Sequence, residues 1–352
     1  MSNECVIGWD VGGAHLKAAR LEADGRLSGV WQKHCPLWRG MEHLDNALHS
    51  VLAELSTTPA RHAVTMTGEM TDLFENRANG VHTLVNHLCD QLGGADRVRF
   101  YAGADGWMNA GTTRLRPQTV ASANWHATAA MVAACLDDAL LVDIGSTTCD
   151  LILVRHGEVA SASGSDSDRL TAGELVYSGV VRTPLMALAD SAPLKGRWTP
   201  LMAEHFATTA DVYRVLGWLP EAADLYESAD GGAKTAAASR VRLARMVGRD
   251  ADEMPDAAWD ELAAWFVDAQ LDKIARAARQ LLSRGLLPAS APVVAAGAGA
   301  FLVERLAARL DRGALNFSSL LKVEEYAGAD GHNASWCAPA VAVGWLLRKE
   351  MR

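Results

Sequence analysis

Apolar positions along this chain follow one arrangement that occurs twice. Near the start, residues 6–10, 16–21 and 28–33 are short apolar runs that predict a three-stranded meander, with Asp24-Gly25 as the turn between the second and third strands. Residues 41–55 then place Leu44, Leu48, Val51, Leu52 and Leu55 at helical spacing. A short strand is expected at 63–66. A helix follows at 80–92, with Val81, Leu84, Val85, Leu88 and Leu92 on one face, then a strand at 98–101. An Ala-rich helix is expected at 122–136, with Ser122 or Asn124 as its cap. The order restarts at Leu140. Strands are expected at 140–144, 150–155 and 158–163, with His156-Gly157 as a turn, then a helical run at 170–180. A strand at 293–296, a helix at 300–310 and a strand at 314–317 complete the second round.

Between residues 183 and 255 the pattern loosens. Pro184, Pro193, Pro200, Pro220 and Pro255 and the turn Asp230-Gly231-Gly232 interrupt it, leaving short helices at 212–216 and 239–247. A long amphipathic helix is expected at 257–282, with Trp265, Leu271, Ile274, Ala278 and Leu281 near one face. The apolar segment 340–347 predicts a last helix that packs back on the first domain. The expected division is a first domain at 1–137 plus the C-terminal helix 338–352. A second domain covers 138–337, with a helical insertion at about 184–258 that covers a cleft. The fold class is α/β with a duplicated β-β-β-α-β-α order.

Two segments inside the repeated plan are alike. Val6-Ile7-Gly8-Trp9-Asp10-Val11-Gly12-Gly13 and Leu140-Leu141-Val142-Asp143-Ile144-Gly145-Ser146-Thr147-Thr148 each run from an apolar strand through Asp into a turn of small residues, then return as a strand. Glycine allows positive φ and close approach of a ligand to the main chain. Successive backbone N–H groups in such a turn form a concavity for phosphate oxygens. Asp10 and Asp143 offer hard oxygens to Mg²⁺, directly or through water. Gly12, Gly13 and Gly145 are therefore candidate phosphate loops, against a plain hairpin turn. Two such hairpins facing each other would grip a polyphosphate and its metal from both sides.

The formal net charge of −9 argues against nucleic acid or an anionic membrane surface as the main partner. A hydrophobic fraction of 49% and a charged fraction of 21% fit an ordinary globular protein with a full core. No run approaches the roughly 20 apolar residues of a membrane span. The chain starts directly in a strand pattern without a secretory leader, so a cytoplasmic location is expected. Cys5, Cys35, Cys89, Cys135, Cys149 and Cys337 show no paired or zinc-like spacing and are expected as buried reduced thiols.

The duplicated plan with two Asp-Gly hairpins resembles the actin, sugar kinase and Hsp70 ATPase superfamily, with its ribonuclease H-like domains. Asp10-Val11-Gly12-Gly13 and Asp143-Ile144-Gly145-Ser146-Thr147-Thr148 resemble its two phosphate loops. The segment from Val293 through Gly297 and Gly299 to Phe301 resembles the turn that cradles adenosine in ATP-using members. Within the superfamily, Gly173-Glu174-Leu175-Val176-Tyr177-Ser178-Gly179-Val180-Val181-Arg182-Thr183-Pro184 resembles hydantoinase A/oxoprolinase-like proteins. Thr67-Gly68-Glu69-Met70-Thr71-Asp72, Ser122-Ala123-Asn124-Trp125 and Ala229-Asp230-Gly231 narrow the resemblance to tetrahydromethanopterin-linked C1-transfer pathway proteins, similar to the condensing enzymes of methanofuran biosynthesis. The Ala-Gly-Ala-Gly-Ala run at 296–300 departs from the dense glycine run of ATP users.

The resemblance implies a transferase that joins an aminomethylfuran diphosphate to a phenolic acceptor of γ-glutamyltyramine or tyrosine type and releases pyrophosphate. Mg²⁺ is the implied cofactor. An ATP-dependent hydantoinase/oxoprolinase-like hydrolase or small-molecule kinase is the first alternative, and a non-catalytic nucleotide-binding module the second. Asp10 and Asp143 are the metal candidates. Lys17, on the strand leaving the first hairpin, is either a phosphate ligand or an exposed-face residue. Ser146, Thr147 and Thr148 offer hydroxyls to phosphate or are ordinary turn polarity. Arg182 stands in apolar company and is expected to pair with Glu174 or with substrate. An ordinary phenol has a pKa near 10, so the acceptor calls for a base. Glu69, Asp72 and His15 are the candidates. Glu69 ends a short strand, where α/β sheets present ligand-facing groups; the alternative is an acidic helix-start cap. His15 in its turn reads more simply as a surface residue. Asp150 is expected to face away from Asp143 and to have a buried structural partner. Asn124, Trp125, Glu174, Gly297 and Gly299 are candidates for substrate contact. His332 and Cys337 are too few for a metal pair.

Overall fold

The computed structural model describes residues 4–55, 60–161, 165–321 and 334–351. The chain forms two compact units. The first comprises residues 1–137, 154–159 and 316–352, the second residues 138–153 and 160–315.

In the first unit β1 (Cys5–Val11), β2 (His15–Leu21) and β3 (Leu27–His34) form the antiparallel meander. Helix α1 (Glu42–Glu54) leads to β4 (Ala60–Met66), which pairs parallel to β1. Helix α2 (Arg77–Gln91) starts with Asn76 accepting a bond from the Asn79 amide, as an N-cap side chain does. It leads to β5 (Val98–Tyr101), parallel to β4, and to β6 (Trp107–Met108), antiparallel to β5. The sheet order is β3-β2-β1-β4-β5-β6. Helix α3 (Ala110–Leu115) and helix α4 (Asn124–Ala133) follow. Along β1 the side chains of Cys5, Ile7, Trp9 and Val11 join the core that includes Leu44, Leu48 and Val51 of α1 and Val81, Leu84, Val85 and Leu88 of α2. Period-2 alternation therefore directs Val6, Gly8 and Asp10 to the opposite face of the sheet.

In the second unit β7 (Ala139–Ile144) and β8 (Cys149–Arg155) repeat the hairpin. The third strand differs from expectation. β9 (Glu158–Val159) is only two residues, and residues 162 and 163 of the expected strand lie outside the described residues. Helix α5 (Asp166–Ala172) is stopped by Gly173 at φ +78, the left-handed cap that glycine adopts without a Cβ penalty. Leu175 and Val176 then become β10, antiparallel to β8, where a helix to residue 180 was expected.

The loose segment also holds a hairpin that the prolines obscured. β11 (Ser191–Leu194) and β12 (Arg197–Pro200) join through Lys195 and Gly196, both with positive φ. Helices α6 (Thr209–Val215), α7 (Ala236–Met246) and α8 (Asp256–Leu282) follow. The buried stripe of α8 runs through Trp259, Leu262, Phe266, Leu271 and Ile274. Trp265 turns off that stripe and meets Trp198 of the hairpin edge-on, at 6.1 Å between ring centroids. β13 (Val293–Ala296) pairs parallel to β7; then come α9 (Val303–Arg309) and β14 (Ala314–Asn316). The sheet order is β10-β8-β7-β13-β14.

The last helix, α10 (Ala338–Glu350), belongs to the first unit. It lies on the Gly8 face of the sheet. A Cβ on Gly8 would overlap the Ala340 carbonyl and stand 2.8 Å from the Gly344 amide nitrogen, so helix and strand approach backbone to backbone. Five of the six cysteines are buried thiols as expected; Cys135 is exposed. Among the described residues no helix is long and apolar enough to cross a membrane.

Candidate functional site

The first hairpin closes on itself. The Gly12 amide donates to the His15 carbonyl at 3.0 Å, and the Gly13 and Ala14 carbonyls accept from Leu37 and Cys35. The Gly12 N–H is thus used by the turn. The amides of Gly13 and Ala14 meet no acceptor among the described residues, and these are the donors the loop presents. Neither Gly12 nor Gly13 has the positive φ that the turn pattern suggests. Glycine is required by space: a Cβ would stand 2.9 Å from the His15 carbonyl oxygen at Gly12 and 2.8 Å from Thr71 Cγ2 at Gly13. His15 is buried, against the expectation of a surface turn residue. It begins β2, with its ring edge-on to His34.

Strand register places the charged residues. Asp10 lies opposite Lys17 on β2 and opposite Thr65 on β4, and Lys17 lies opposite Gln32 on β3. Paired residues project from one face, so Gln32, Lys17, Asp10 and Thr65 form one polar row across four strands. Asp10 is 5% exposed and Thr65 1%. The row lies one pair beyond Gly8, toward the start of α10. Burial pushes the Cys337 thiol there up to about 12, while Lys17 lowers it and Asp10 raises it, which puts both charges near the helix start. Residue 332 lies outside the described residues. Among those described, no group of three or more His, Cys, Asp or Glu side chains could hold a metal ion.

Glu69 sits in a single 3-10 turn, Gly68–Met70, just after β4. It is 1% exposed, and burial raises its carboxyl above the ordinary range. One oxygen accepts from Ser122 Oγ at 3.0 Å; Oε2 has no partner among the described residues. Ser122 is therefore not the cap of α4. It holds φ +52, a strained value for a serine, and spends its hydroxyl on Glu69. Asn124 begins α4 with its side-chain oxygen accepting from the Trp125 amide at 2.8 Å, and Trp125 is buried. Asp72 is exposed.

The second hairpin has the same closure, with the Gly145 amide donating to the Thr148 carbonyl at 2.8 Å. A loop from β10 clamps it: Val180 donates to the Gly145 carbonyl at 3.0 Å, and Val181 and Arg182 donate to the Ser146 carbonyl at 3.1 and 2.9 Å. Gly179 makes this approach possible, since any Cβ there would overlap the Ser146–Thr147 peptide. The Gly179 carbonyl accepts from Thr209 Oγ1, Gln270 Nε2 and Thr183 Oγ1 at 2.8, 2.9 and 3.2 Å. Gln270 also holds Ser178 and accepts from Tyr213, so a buried network fixes the clamp. The Ser146 and Thr147 hydroxyls stand 3.5 Å apart.

Asp143 is gripped from the other side. Gly297 has φ +82, and a Cβ there would overlap the Ile144 carbonyl and Asp143 Oδ1. The Gly299 amide donates to the Ile144 carbonyl at 2.8 Å. Both glycines of the later turn thus pack onto the end of β7.

Arg182 departs from expectation. Its side chain is exposed, its guanidinium lies 4.7 Å from the Tyr226 ring centroid, and its Nη1 is 3.5 Å from Thr147 Oγ1. Glu174 does not pair with it. That carboxylate is buried, bound to Arg284 at 3.0 Å and Ser161 at 2.5 Å. The backbone of residues 180–182 carries the hairpin contact and the guanidinium turns outward. Asp150 has the expected structural partner, the buried Arg169. Asp230 is likewise engaged within the fold. Arg242 and the Gly232 amide hold its carboxyl at about 2, below the usual range despite an opposing desolvation effect.

Sequence reasoning missed Thr65, Ser122 as the Glu69 donor, Gly179 and Gln270. The signal for Gln270 was a polar residue inside the apolar stripe of α8. Thr65 lay inside the short strand expected at 63–66 and carried no signal of its own.

The hydantoinase/oxoprolinase profile matches residues 61–319. A curated relative in Methanocaldococcus jannaschii, named (4-{4-[2-(gamma-L-glutamylamino)ethyl]phenoxymethyl}furan-2-yl)methanamine synthase, is 28% identical over 349 residues, covering 98% of each chain. A protein of the same name in Methanococcus vannielii is 27% identical over 212 residues, 60% of this chain and 91% of its own. Among solved structures, nucleotide-free acetone carboxylase superposes with a TM-score of 0.57 at 11% identity, over 98% of this chain and 70% of its own, a likeness of fold alone. Each unit is built on a mixed α/β sheet that opens with an antiparallel hairpin and adds a parallel strand beside its first strand. By the extent of the profile match, the chain belongs to the hydantoinase/oxoprolinase family.

Proposed function

We propose that this chain is a transferase that forms a furan-methyl aryl ether, joining an aminomethylfuran diphosphate to a phenolic acceptor with release of pyrophosphate. The observation that carries the reading is the end-to-end match to the Methanocaldococcus relative, whose name describes a phenoxymethyl-furan product. We place the activity in the biosynthesis of a methanofuran-type cofactor for tetrahydromethanopterin-linked C1 metabolism.

In the proposed reaction the bond between the furan methylene and the diphosphate oxygen breaks, and its electron pair leaves with pyrophosphate. The phenol oxygen forms the new bond to the methylene and gives up its proton. Electron donation from the furan stabilises positive charge on the methylene, so departure of the charged leaving group is the main barrier. Donors aimed at that developing charge lower it; loss of one donor in comparable sites costs roughly 3–4 kcal/mol. The Gly13 and Ala14 amides and Lys17 are proposed for this role in the first unit. Ser146, Thr147, Thr148 and Arg182 are proposed for it in the second.

Mg²⁺ typically binds through one or two carboxylates plus substrate phosphates and keeps several waters. Asp10 in the first unit and Asp143 in the second are each proposed as a carboxylate that would offer oxygen to the ion, which when bound would neutralise charge on the departing diphosphate. Glu69 is proposed as acceptor of the phenol proton, since burial increases its proton affinity.

The test is an assay with furan-methyl diphosphate and γ-glutamyltyramine, tyramine or tyrosine as acceptor, following pyrophosphate release. Thermal shift with Mg²⁺ plus pyrophosphate, ATP or ADP separates the readings, because stabilisation tracks ligand concentration over Kd. A response to ATP alone, with no turnover of the diphosphate, overturns the transferase in favour of an ATP-dependent hydrolase or kinase.

A further inference from the structure

Two buried polar atoms of the first unit are left without a described partner at the end of β4: Thr65 Oγ1 and Glu69 Oε2. Thr65 is 1% exposed and occupies an interior strand, flanked by β1 and β5. A valine would fill the same volume and leave no hydroxyl to satisfy. A buried hydroxyl without a partner costs about 1–3 kcal/mol, so its presence calls for a partner other than the described residues.

The register identifies where that partner sits. Thr65 is the direct parallel neighbour of Asp10, and Asp10 of Lys17. The three side chains project from one face, side by side, just before the Gly12–Ala14 turn. A cation, a carboxylate and a hydroxyl donor in one row suit a phosphate group that arrives with its metal. Lys17 answers the phosphate charge, and Asp10 answers the metal or its waters. We propose that Thr65 is a third substrate-binding residue of this row, its hydroxyl donating to a phosphate oxygen of the diphosphate. This deepens the transferase reading and rests on it. The close approach of α10 at Gly8 seals the row on its inner side, so the ligand meets it from the end that carries the Gly13 and Ala14 amides.

The experiment uses the full chain and Mg²⁺-pyrophosphate as the probe, measuring affinity by calorimetry and thermal midpoint without ligand. Thr65→Val is expected to weaken pyrophosphate binding about 10-fold or more, the size of a lost hydrogen bond to a charged group. Its unliganded midpoint should be unchanged or raised. Thr65→Ser should retain affinity within about 3-fold, since the donor remains. If Thr65→Val binds pyrophosphate as the wild type does while Asp10→Asn does not, the Thr65 assignment is wrong and the diphosphate reading stands. If Thr65→Val lowers the unliganded midpoint by several degrees and leaves affinity intact, the hydroxyl is structural. A wild-type chain with no affinity for Mg²⁺-pyrophosphate, or one whose affinity survives Asp10→Asn, overturns the diphosphate reading itself.

Discussion

Gly297→Ala is the sharpest single perturbation of the second hairpin. Gly297 ends β13 with φ +82, and the Cβ of alanine would overlap the Ile144 carbonyl and the Asp143 carboxylate. A left-handed alanine costs about 1–2 kcal/mol. Overpacking against backbone adds about 1–3 kcal/mol. The sum is about 2–5 kcal/mol, and relief of the overlap must move Asp143. Gly285, in the same unit, provides the control. Its φ is +68 and nothing lies within 4 Å of the position a methyl would take, so Gly285→Ala carries the backbone cost alone. Urea unfolding of both variants isolates the contact as the difference in midpoint at equal slope. Calorimetry with Mg²⁺-pyrophosphate then reads Asp143. Gly297→Ala should lose more stability than Gly285→Ala by about 1–3 kcal/mol and should bind pyrophosphate more weakly, whereas Gly285→Ala should bind it normally. Equal stability losses would refute the packing argument. A clear stability loss with intact pyrophosphate affinity would refute the role of Asp143.

Asp150→Ala removes the carboxylate that the buried Arg169 binds directly, while the Asp166 carboxylate stands 3.9 Å from the guanidinium; chemical denaturation should show a loss of about 3 kcal/mol. Glu69 has a folded pKa raised by burial, so the unfolded chain ionises first and stability falls as pH rises above about 4.5. Glu69→Gln should therefore be more stable than wild type at pH 7, with the gain vanishing near pH 4, and should lose turnover; an unchanged rate would remove Glu69 as the proton acceptor. His62 and His126 behave oppositely, with burial pushing each from 6.5 down to about 4. His62 Nδ1 accepts from Trp9 Nε1 at 3.1 Å, a bond that protonation of that nitrogen would break. Stability should then fall as pH drops from about 6.5 to 4, by roughly 3 kcal/mol for each histidine at 1.4 kcal/mol per pH unit. His62→Gln should flatten part of that slope in a pH series of thermal midpoints.

Period and punctuation made much of this architecture legible. The first meander, the hairpin that opens the second, the strands at 63–66, 98–101 and 293–296 and the long helix α8 all follow from local spacing, because a strand buries alternate residues and a helix every third or fourth. The Asp-Gly hairpins were legible for the same reason, since strand–turn–strand geometry is decided within a dozen residues. Relations between distant segments were not. That β10 takes the edge beside β8 depends on Gly173 ending α5 and on pairing across about 25 residues. Gln270 reaches the Gly179 carbonyl from 91 residues away, and Glu174 finds Arg284 from 110, so neither partner had a local signature. The glycines at 12 and 13 announced a tight turn, but only packing revealed that they are needed for space and not for left-handed φ. Sequence alone thus determined where the chain bends and which residue types line each bend. Tertiary structure decided which carboxylates are already paired and which polar atoms keep an open valence, because that depends on which strands become neighbours and in what register.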